Sequence, residues 1–216
     1  MSKLAKQVES GFGDGNGNGN GNKGGSDAES GDSGENCYAF LAKDARWKVT
    51  EDYVTKNGGF DAIEEATIAA AFKDWDDQVS FEVFGNQDDS QEVNGADTES
   101  PDGLNEIMYG NIAEENVIAV ALVWGIFGGP PFARELVEHD ITFDNVDFEF
   151  GDAEADSSLM DFPSITKHEF GHSVGLADLY QDECAEQTMY GYADEGETNK
   201  RDLEAGDKKG IQELYL

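Results

Sequence analysis

The stretch at positions 168–178 reads HEFGHSVGLAD and carries the strongest chemical pattern in the chain. Histidines four residues apart lie on one face of an α-helix, so the imidazoles of His168 and His172 can reach the same metal ion. Glu169 follows the first histidine and can take a proton from a metal-bound water. Gly175 permits the turn that ends the helix, and Asp178 has the spacing to supply a third, oxygen ligand. Three protein ligands leave one coordination position open, which is typical of a catalytic zinc site.

An ordinary surface helix could carry the same residue types without binding metal. The chain has only three histidines, however, and two of them fall in this pattern. The pattern therefore favours a metal site.

The elements around this stretch predict an α+β fold, with a twisted mixed sheet backed by helices. Residues 60–78 and 162–174 have helical periodicity, and a last helix is expected over residues 203–214. The apolar stripe of the first helix consists of Ile68, Ala71, Phe72 and Trp75. Strands are predicted at residues 47–54, 79–83, 106–109 and 117–124, and a further strand or hairpin at residues 141–150.

The charge of the chain is strongly negative, with 47 acidic and 14 basic residues and a net charge of −33. Most of this charge lies in residues 37–216, the expected globular part, and there it opposes compaction. At about 1 M salt the Debye length falls to about 3 Å, which screens the repulsion. The composition favours a salt-adapted protein over a merely acidic one, and it excludes nucleic acid as a partner. No apolar run is long enough to span a membrane.

Residues 1–36 are rich in glycine and asparagine and offer little to bury, so we expect a disordered acidic tail or linker. Residues 37–216 form the predicted catalytic domain. Residues 1–10 show neither the apolar core of a secretory signal nor twin arginines. Either an export signal has been removed, or the protein uses another route.

The motif at 168–178 resembles the extended zinc signature of the metzincin metallopeptidases, with Asp178 where most members have a third histidine. The resemblance is closest to the matrixin group. Residues 187–190 resemble the Met-turn of that family, which implies that Met189 lies beneath the metal. Residues 203–215 resemble its closing helix. The family therefore implies one catalytic Zn²⁺ held by His168, His172 and Asp178.

The resemblance also carries expectations for other parts of the chain. It implies that substrate adds as a strand to residues 117–124, although a buried central strand would look the same in sequence, and that residues 190–201 wall the specificity pocket. A second, structural zinc is not expected, because His139 is the only other histidine. Tyr192 is a poor substitute for the tyrosine that some metzincins place two residues after the methionine, where this chain has Gly191. Structural Ca²⁺ is a family expectation, to be weighed against solvated carboxylates, at the acids Asp144, Asp147, Asp152 or Asp156.

The chain has two cysteines, Cys37 and Cys184. A disulfide between them would close a very long loop, which is worth about 3–5 kcal/mol in the chain-entropy model. It would also indicate an oxidising compartment. Free thiols are the alternative, and a third is that Cys37 blocks the zinc as the propeptide cysteine of matrixins does, although its flanks do not resemble that motif.

Together these features predict a secreted, salt-adapted and monomeric zinc endopeptidase that cleaves protein or peptide substrates through a metal-bound water activated by Glu169. Two other functions stay open. One is a catalytically silent metzincin-like binding module, and the other is an intracellular regulatory peptidase of a cell with a salt-rich cytoplasm and reduced cysteines.

Overall fold

The computed structural model describes the backbone of residues 5–13 and the whole of residues 36–216. The strands, in chain order, are β1 (Ala5–Gly13), β2 (Glu51–Tyr53), β3 (Phe84–Gln87), β4 (Glu106–Gly110), β5 (Val117–Ile126), β6 (Glu135–Asp144), β7 (Phe150–Gly151), β8 (Met160–Asp161) and β9 (Tyr192–Ala193). The α-helices are α1 (Ala62–Asp76), α2 (Phe162–Ser173) and α3 (Ala205–Tyr215).

The main sheet has the spatial order β4-β6-β5-β1-β9. Its centre is antiparallel, since β5 pairs with β6 in that sense, whereas β4 runs parallel to β6. The pair β2-β3 continues this sheet through a parallel bridge between Val54 and Glu106. The sheet is therefore mixed and the fold is α+β, as the sequence predicts.

Helix α1 begins where Asp61 caps it. The Asp61 carboxylate accepts the N–H groups of Ile63 and Glu64, and the Glu64 side chain accepts the N–H of Asp61, which makes a capping box. The predicted apolar stripe is the buried face, formed by Ile68, Ala71, Phe72 and Trp75.

This face of α1 packs directly on α2. The ring of Phe72 stacks on that of Phe170 with 3.7 Å between centroids, and the indole N–H of Trp75 donates to the carbonyl of Lys167 at 2.9 Å. Aromatic contact and a buried hydrogen bond thus fix α2 in position.

Three predicted strands differ from the observed ones, and the first of them, at 47–54, is confined to β2. The alternating run at 79–83 is not a strand, and the observed strand, β3, begins just after it. The Asp76 carboxylate at the end of α1 accepts the N–H groups of Val83 and Phe84, which holds residues 77–83 as a connection between α1 and β3. The strand predicted at 141–150 is β6, which begins and ends earlier, because pairing with β5 sets its extent.

The predicted tail contains a strand. Residues 5–13 form β1, which pairs antiparallel with β5 from Ala5 to Phe12 and parallel with β9 at Phe12 and Gly13. We expected this segment to be disordered, because it has little apolar surface to bury. A strand edge stabilises an added strand through backbone hydrogen bonds, which do not depend on apolar side chains. The remainder of the predicted tail, residues 1–4 and 14–35, lies outside the described residues.

Cys37 and Cys184 form a disulfide, with 5.5 Å between their Cα atoms. It joins the start of the predicted catalytic domain to the loop between Asp178 and Met189. Across the described residues, none of the helices is long and apolar enough to cross a membrane.

Candidate metal centre

Helix α2 carries the two histidines of the motif and is buried over nearly its whole length. Asp161 caps its start by accepting the N–H and hydroxyl of Ser164, at 3.1 and 2.6 Å. Pro163 lies in the first turn, where its missing N–H costs nothing. The helix ends before Gly175, whose φ of +106° is the left-handed conformation that favours glycine.

Backbone carbonyls orient both imidazoles. Nδ1 of His168 lies 2.7 Å from the carbonyl oxygen of Thr188, and Nδ1 of His172 lies 3.0 Å from that of Leu176. A carbonyl can only accept a hydrogen bond, so each Nδ1 carries the proton and donates it. In the neutral imidazoles, both Nε2 atoms therefore present lone pairs.

These lone pairs converge with a carboxylate oxygen. The two Nε2 atoms are 3.2 Å apart, and Oδ1 of Asp178 lies 3.1 Å from that of His168 and 3.5 Å from that of His172. Three buried acceptor atoms at these separations repel one another unless a cation lies among them. Two imidazoles and a carboxylate are a donor set typical of zinc, so the residues present fit that ion.

The pKa shifts of His168 and Asp178 agree with a role as metal ligands. Burial lowers the pKa of His168, although the negative charge of Asp178 opposes the change by favouring a protonated imidazole. Burial acts to raise the pKa of Asp178, but the two imidazoles outweigh it, and the net pKa lies below the ordinary value. Neutral imidazoles and an ionised carboxylate are the protonation states that bind a metal.

Tyr180 holds the outer oxygen of this carboxylate. Its hydroxyl donates to Oδ2 of Asp178 at 2.9 Å, which leaves Oδ1 directed at the imidazoles. The sequence pattern does not single out Tyr180. Its position two residues after the predicted ligand was the one available signal.

Met189 lies under α2, and close packing in this region explains why two positions, 171 and 191, are glycine. A Cβ atom on Gly171 would approach its sulfur to 2.0 Å, so only glycine fits between the two histidines at that point. A Cβ atom on Gly191 would come within 2.6 Å of the Tyr180 ring and 3.2 Å of the Asp178 carboxyl carbon. The tyrosine that some metzincins place two residues after the methionine would therefore have no space here.

The turn that contains Met189 is fixed by Asp207 of α3. This buried carboxylate accepts the N–H groups of Thr188 and Met189, at 2.8 and 3.2 Å, and also that of Glu204. The carbonyl of Thr188 in turn orients His168, so Asp207 of α3 supports the metal centre indirectly, through this turn. The sequence predicts the last helix, but it does not indicate this role of Asp207.

The predicted base, Glu169, follows His168 on α2 and is fully buried. Tyr192 is half-buried, and its ring packs edge-on against those of Tyr180 and Tyr190, with centroids 5.4 and 5.7 Å apart. It is thus a packing residue beside the turn that contains Met189, in agreement with its being a poor substitute for the metzincin tyrosine.

The third histidine is remote from this centre. His139 is fully buried on β6, with the aromatic rings of Trp47, Phe72 and Phe84 around it at about 6 Å. Burial lowers its pKa to about 3, so the imidazole is neutral.

Two of the four acids named for calcium, Asp144 and Asp152, make local contacts. Asp144 accepts the N–H groups of Ile112, Val146 and Asp147, and Asp152 pairs with Arg201 at 2.5 Å. These contacts already account for both carboxylates, which are spread along the chain.

A different group of acids does converge. Asp97, Glu138 and Asp140 each offer a carboxylate oxygen within 4.8 Å of the others. We call these three residues the acidic cluster. Oε1 of Glu138 and Oδ2 of Asp97 are buried and have no hydrogen-bond partner, and Oε2 of the neighbouring Glu106 is in the same state. Burial, with the charges of Asp140 and Asp97, raises the pKa of Glu138 to about 8, and burial raises that of Asp140 to about 7.

Comparison with known proteins assigns the chain at the level of the family. No curated protein sequence gave a significant match. The family model for the matrixins matches residues 39–216, which include all of the metal centre and the elements that hold it. By its sequence over this range, and in agreement with its α+β fold, the chain belongs to the matrixin family of metallopeptidases.

Proposed function

We propose that the protein is a zinc endopeptidase and that Asp178 is the third zinc ligand. The observation that carries this proposal is the convergence of three acceptor atoms, two imidazole Nε2 and one carboxylate oxygen, in a buried site. Zinc bound there supplies Lewis-acid chemistry, polarising the scissile carbonyl and stabilising the negative charge that develops on its oxygen.

Glu169 is the proposed general base. It accepts a proton from the attacking water and then donates it to the amine nitrogen as the C–N bond breaks. The reaction consumes one water molecule and releases a carboxylate and an amine. The other residues of the centre orient its ligands: the carbonyls of Thr188 and Leu176 hold the imidazoles, and Tyr180 holds Asp178.

The proposed substrate position is a strand between β5 and β9. The space between these two elements has the width of one strand, since β1 pairs with both. Backbone pairing with β5 would bind an extended peptide with little dependence on its sequence, and side-chain pockets would add preference. Residues 190–201, which follow Met189 and include β9, would form the wall of such a pocket.

We propose Ca²⁺ as a second, structural cation, bound by the acidic cluster instead of the acids first named. Calcium prefers oxygen ligands, and Asp97, Glu138 and Asp140 supply only oxygens. The buried and unpartnered oxygens support this proposal, because an uncompensated carboxylate in such a place is costly.

We also propose that the protein is exported and adapted to high salt. The Cys37–Cys184 disulfide supports an oxidising compartment and argues against a reduced intracellular peptidase. The net charge of −33 supports salt adaptation, because screening relieves self-repulsion.

The decisive experiment compares Glu169→Gln with Glu213→Gln, which alters an exposed acid on α3. Each zinc-loaded protein is given an unfolded protein substrate in high salt, with and without a chelator. We expect cleavage by the wild type and the control, loss of at least about 100-fold in Glu169→Gln, and one zinc per chain in all three.

Three results would contradict the proposal in different ways. Full activity of Glu169→Gln would exclude its role as base. Activity that resists the chelator would exclude zinc. A folded, zinc-loaded wild type that cleaves nothing would favour the binding module, provided that a form without residues 1–13 is also inactive.

A further inference from the structure

The N-terminal strand occupies the place where the proposed function puts the substrate. β1 pairs with β5 from Ala5 to Phe12 and with β9 at Phe12 and Gly13. It also contacts α2, the helix that carries both histidines. The free edge of a strand has a single row of N–H and C=O groups, so β5 cannot pair with β1 and with a peptide at the same time.

From this arrangement we infer that residues 5–13 are a tethered competitor of the substrate, which holds the peptidase in a self-inhibited state. The inference rests on the proposed function, because it takes the strand position between β5 and β9 to be the substrate site. It differs from inhibition by a cysteine on the metal, because Cys37 is in a disulfide with Cys184.

Burial of the centre is consistent with this state. With β1 in place, Glu169 and His172 are fully buried and His168 is 3% exposed. A centre that hydrolyses polypeptides must be open to a chain several residues long. Departure of β1 from β5 would free both the strand edge and the face of α2 that β1 contacts.

The backbone of the segment is suited to pairing. None of the residues from 5 to 13 is proline, so each has an N–H group to donate. The pairing register slips between Gly11 and Phe12, close to where pairing with β9 begins. Backbone pairing explains how a segment with few apolar residues can compete with diverse substrates.

The covalent connection makes the competition effective. Residues 14–35 join β1 to the domain, and the Cys37–Cys184 disulfide fixes the domain end of this connection near the Met189 turn. A short tether gives an effective concentration on the order of 1 mM. If the free segment binds with a Kd of about 0.1 mM, it occupies the site about 90% of the time and suppresses activity about tenfold.

The test breaks the pairing of β1 without touching the metal centre. Neighbouring residues of an antiparallel strand donate in opposite directions, so two consecutive prolines remove a donor to β5 whichever residue faces it. We therefore choose Glu9→Pro with Ser10→Pro, in the middle of the pairing with β5. The matched control is Ser2→Pro with Lys3→Pro, in the same chain but before β1.

Initial rates are compared for chains that mass spectrometry shows to be intact, and we expect the Glu9→Pro/Ser10→Pro variant to have a KM about tenfold lower than the wild type at unchanged kcat, as relief of competition requires. A synthetic peptide of residues 5–13 should raise the KM again, and a scrambled peptide should not. The control variant should behave as the wild type does. Equal KM values in all three proteins would overturn the inference.

A second measurement does not depend on activity. Hydrogen exchange is followed in the zinc-loaded Glu169→Gln background, where the segment cannot be cut. Amides in residues 117–126 should exchange faster in Glu9→Pro/Ser10→Pro than in the control, and unchanged exchange would refute the occupancy of β5 by β1. If exchange responds but no variant cleaves any substrate, the proposed function fails while the docking of β1 on β5 stands.

Discussion

The metal centre and the acidic cluster both bring three ligand-type side chains together, but they differ in charge and in origin. The metal centre combines two imidazoles with one carboxylate, and its carboxylate has a lowered pKa. The acidic cluster contains only carboxylates, and the pKa values of Glu138 and Asp140 are raised. The first site has one negative charge to balance, whereas the second accumulates charge that only protons or a cation can compensate.

Their origins in the chain differ as much. The ligands of the metal centre lie within residues 168–178, on one helix and the turn after it. The acidic cluster joins a residue of the long loop after β3 to two residues of β6, and β5 lies between them in sequence. Local spacing determines the first, whereas strand pairing assembles the second.

The largest effect should come from the carboxylate of the metal centre. Asp178→Asn removes the only negative ligand, so zinc affinity should fall by at least about 100-fold and peptidase activity with it. Asp182→Asn, an exposed acid on the same loop, is the control and should retain its zinc. Zinc is measured by competition with a chromophoric chelator. Equal affinities of the two variants would remove Asp178 from the ligand set.

The next largest effect should be a gain in the free energy of unfolding when calcium binds the acidic cluster. At about 100 times its Kd, calcium should raise the free energy of unfolding of the wild type by about 2.7 kcal/mol. Glu138→Gln should lose most of this gain. Without calcium the same substitution should stabilise the protein above pH 8, where Glu138 would otherwise be ionised, because it removes one of several crowded charges.

The control for this prediction is Glu149→Gln, an exposed acid that should respond to calcium as the wild type does. Chemical denaturation with calcium and with a calcium-selective chelator gives all the free energies. A calcium gain that survives Glu138→Gln would exclude the acidic cluster as the site.

A smaller effect should come from the hydroxyl that orients the zinc carboxylate. Tyr180→Phe removes the 2.9 Å hydrogen bond to Oδ2 of Asp178 and should lower zinc affinity about tenfold. Tyr192→Phe alters the neighbouring ring and should leave zinc affinity unchanged. If both variants bind zinc as the wild type does, Tyr180 only packs against the site.

The smallest effect should come from Asp76, a partly buried carboxylate that accepts hydrogen bonds from backbone N–H groups. Burial raises its pKa to about 6, against the hydrogen bonds from Val83 and Phe84. An acid with a raised folded-state pKa stabilises the fold below its unfolded-state pKa, near 4, and this contribution is lost as the pH rises through 6. Because the side chain is partly exposed, we expect a loss of about 1 kcal/mol.

Asp76→Asn tests this by keeping an acceptor while removing the titration. The difference in free energy of unfolding between wild type and variant should change between pH 4 and pH 6 and stay flat above pH 7. Denaturation curves at several pH values measure it. A difference that does not vary with pH would show that Asp76 has an ordinary pKa.

Where the signal was local, prediction and structure agree. The stripe from Ile68 to Trp75 is the buried face of α1, β5 is the apolar run at 117–124, and Gly175 ends α2 with a positive φ. These features follow from side-chain periodicity and from glycine's freedom at positive φ, which neighbouring residues alone determine. The prediction of a strand at 79–83 was wrong because contacts distant in sequence determine this region. Hydrogen bonds to Asp76 and pairing with β2 place the strand at β3 instead.

The sequence by itself determined the residues on which the proposed chemistry rests, because two histidines, a glutamate and an aspartate at fixed spacing can face one point with no help from distant residues. Only the tertiary structure decided what surrounds that point. Tyr180 binds the Asp178 carboxylate, and Asp207 binds the turn that contains Met189. The acidic cluster forms where the loop after β3 meets β6, and β1 pairs with the edge of β5. Such contacts join residues far apart in sequence, and backbone pairing of the kind that holds β1 leaves little trace in side-chain pattern.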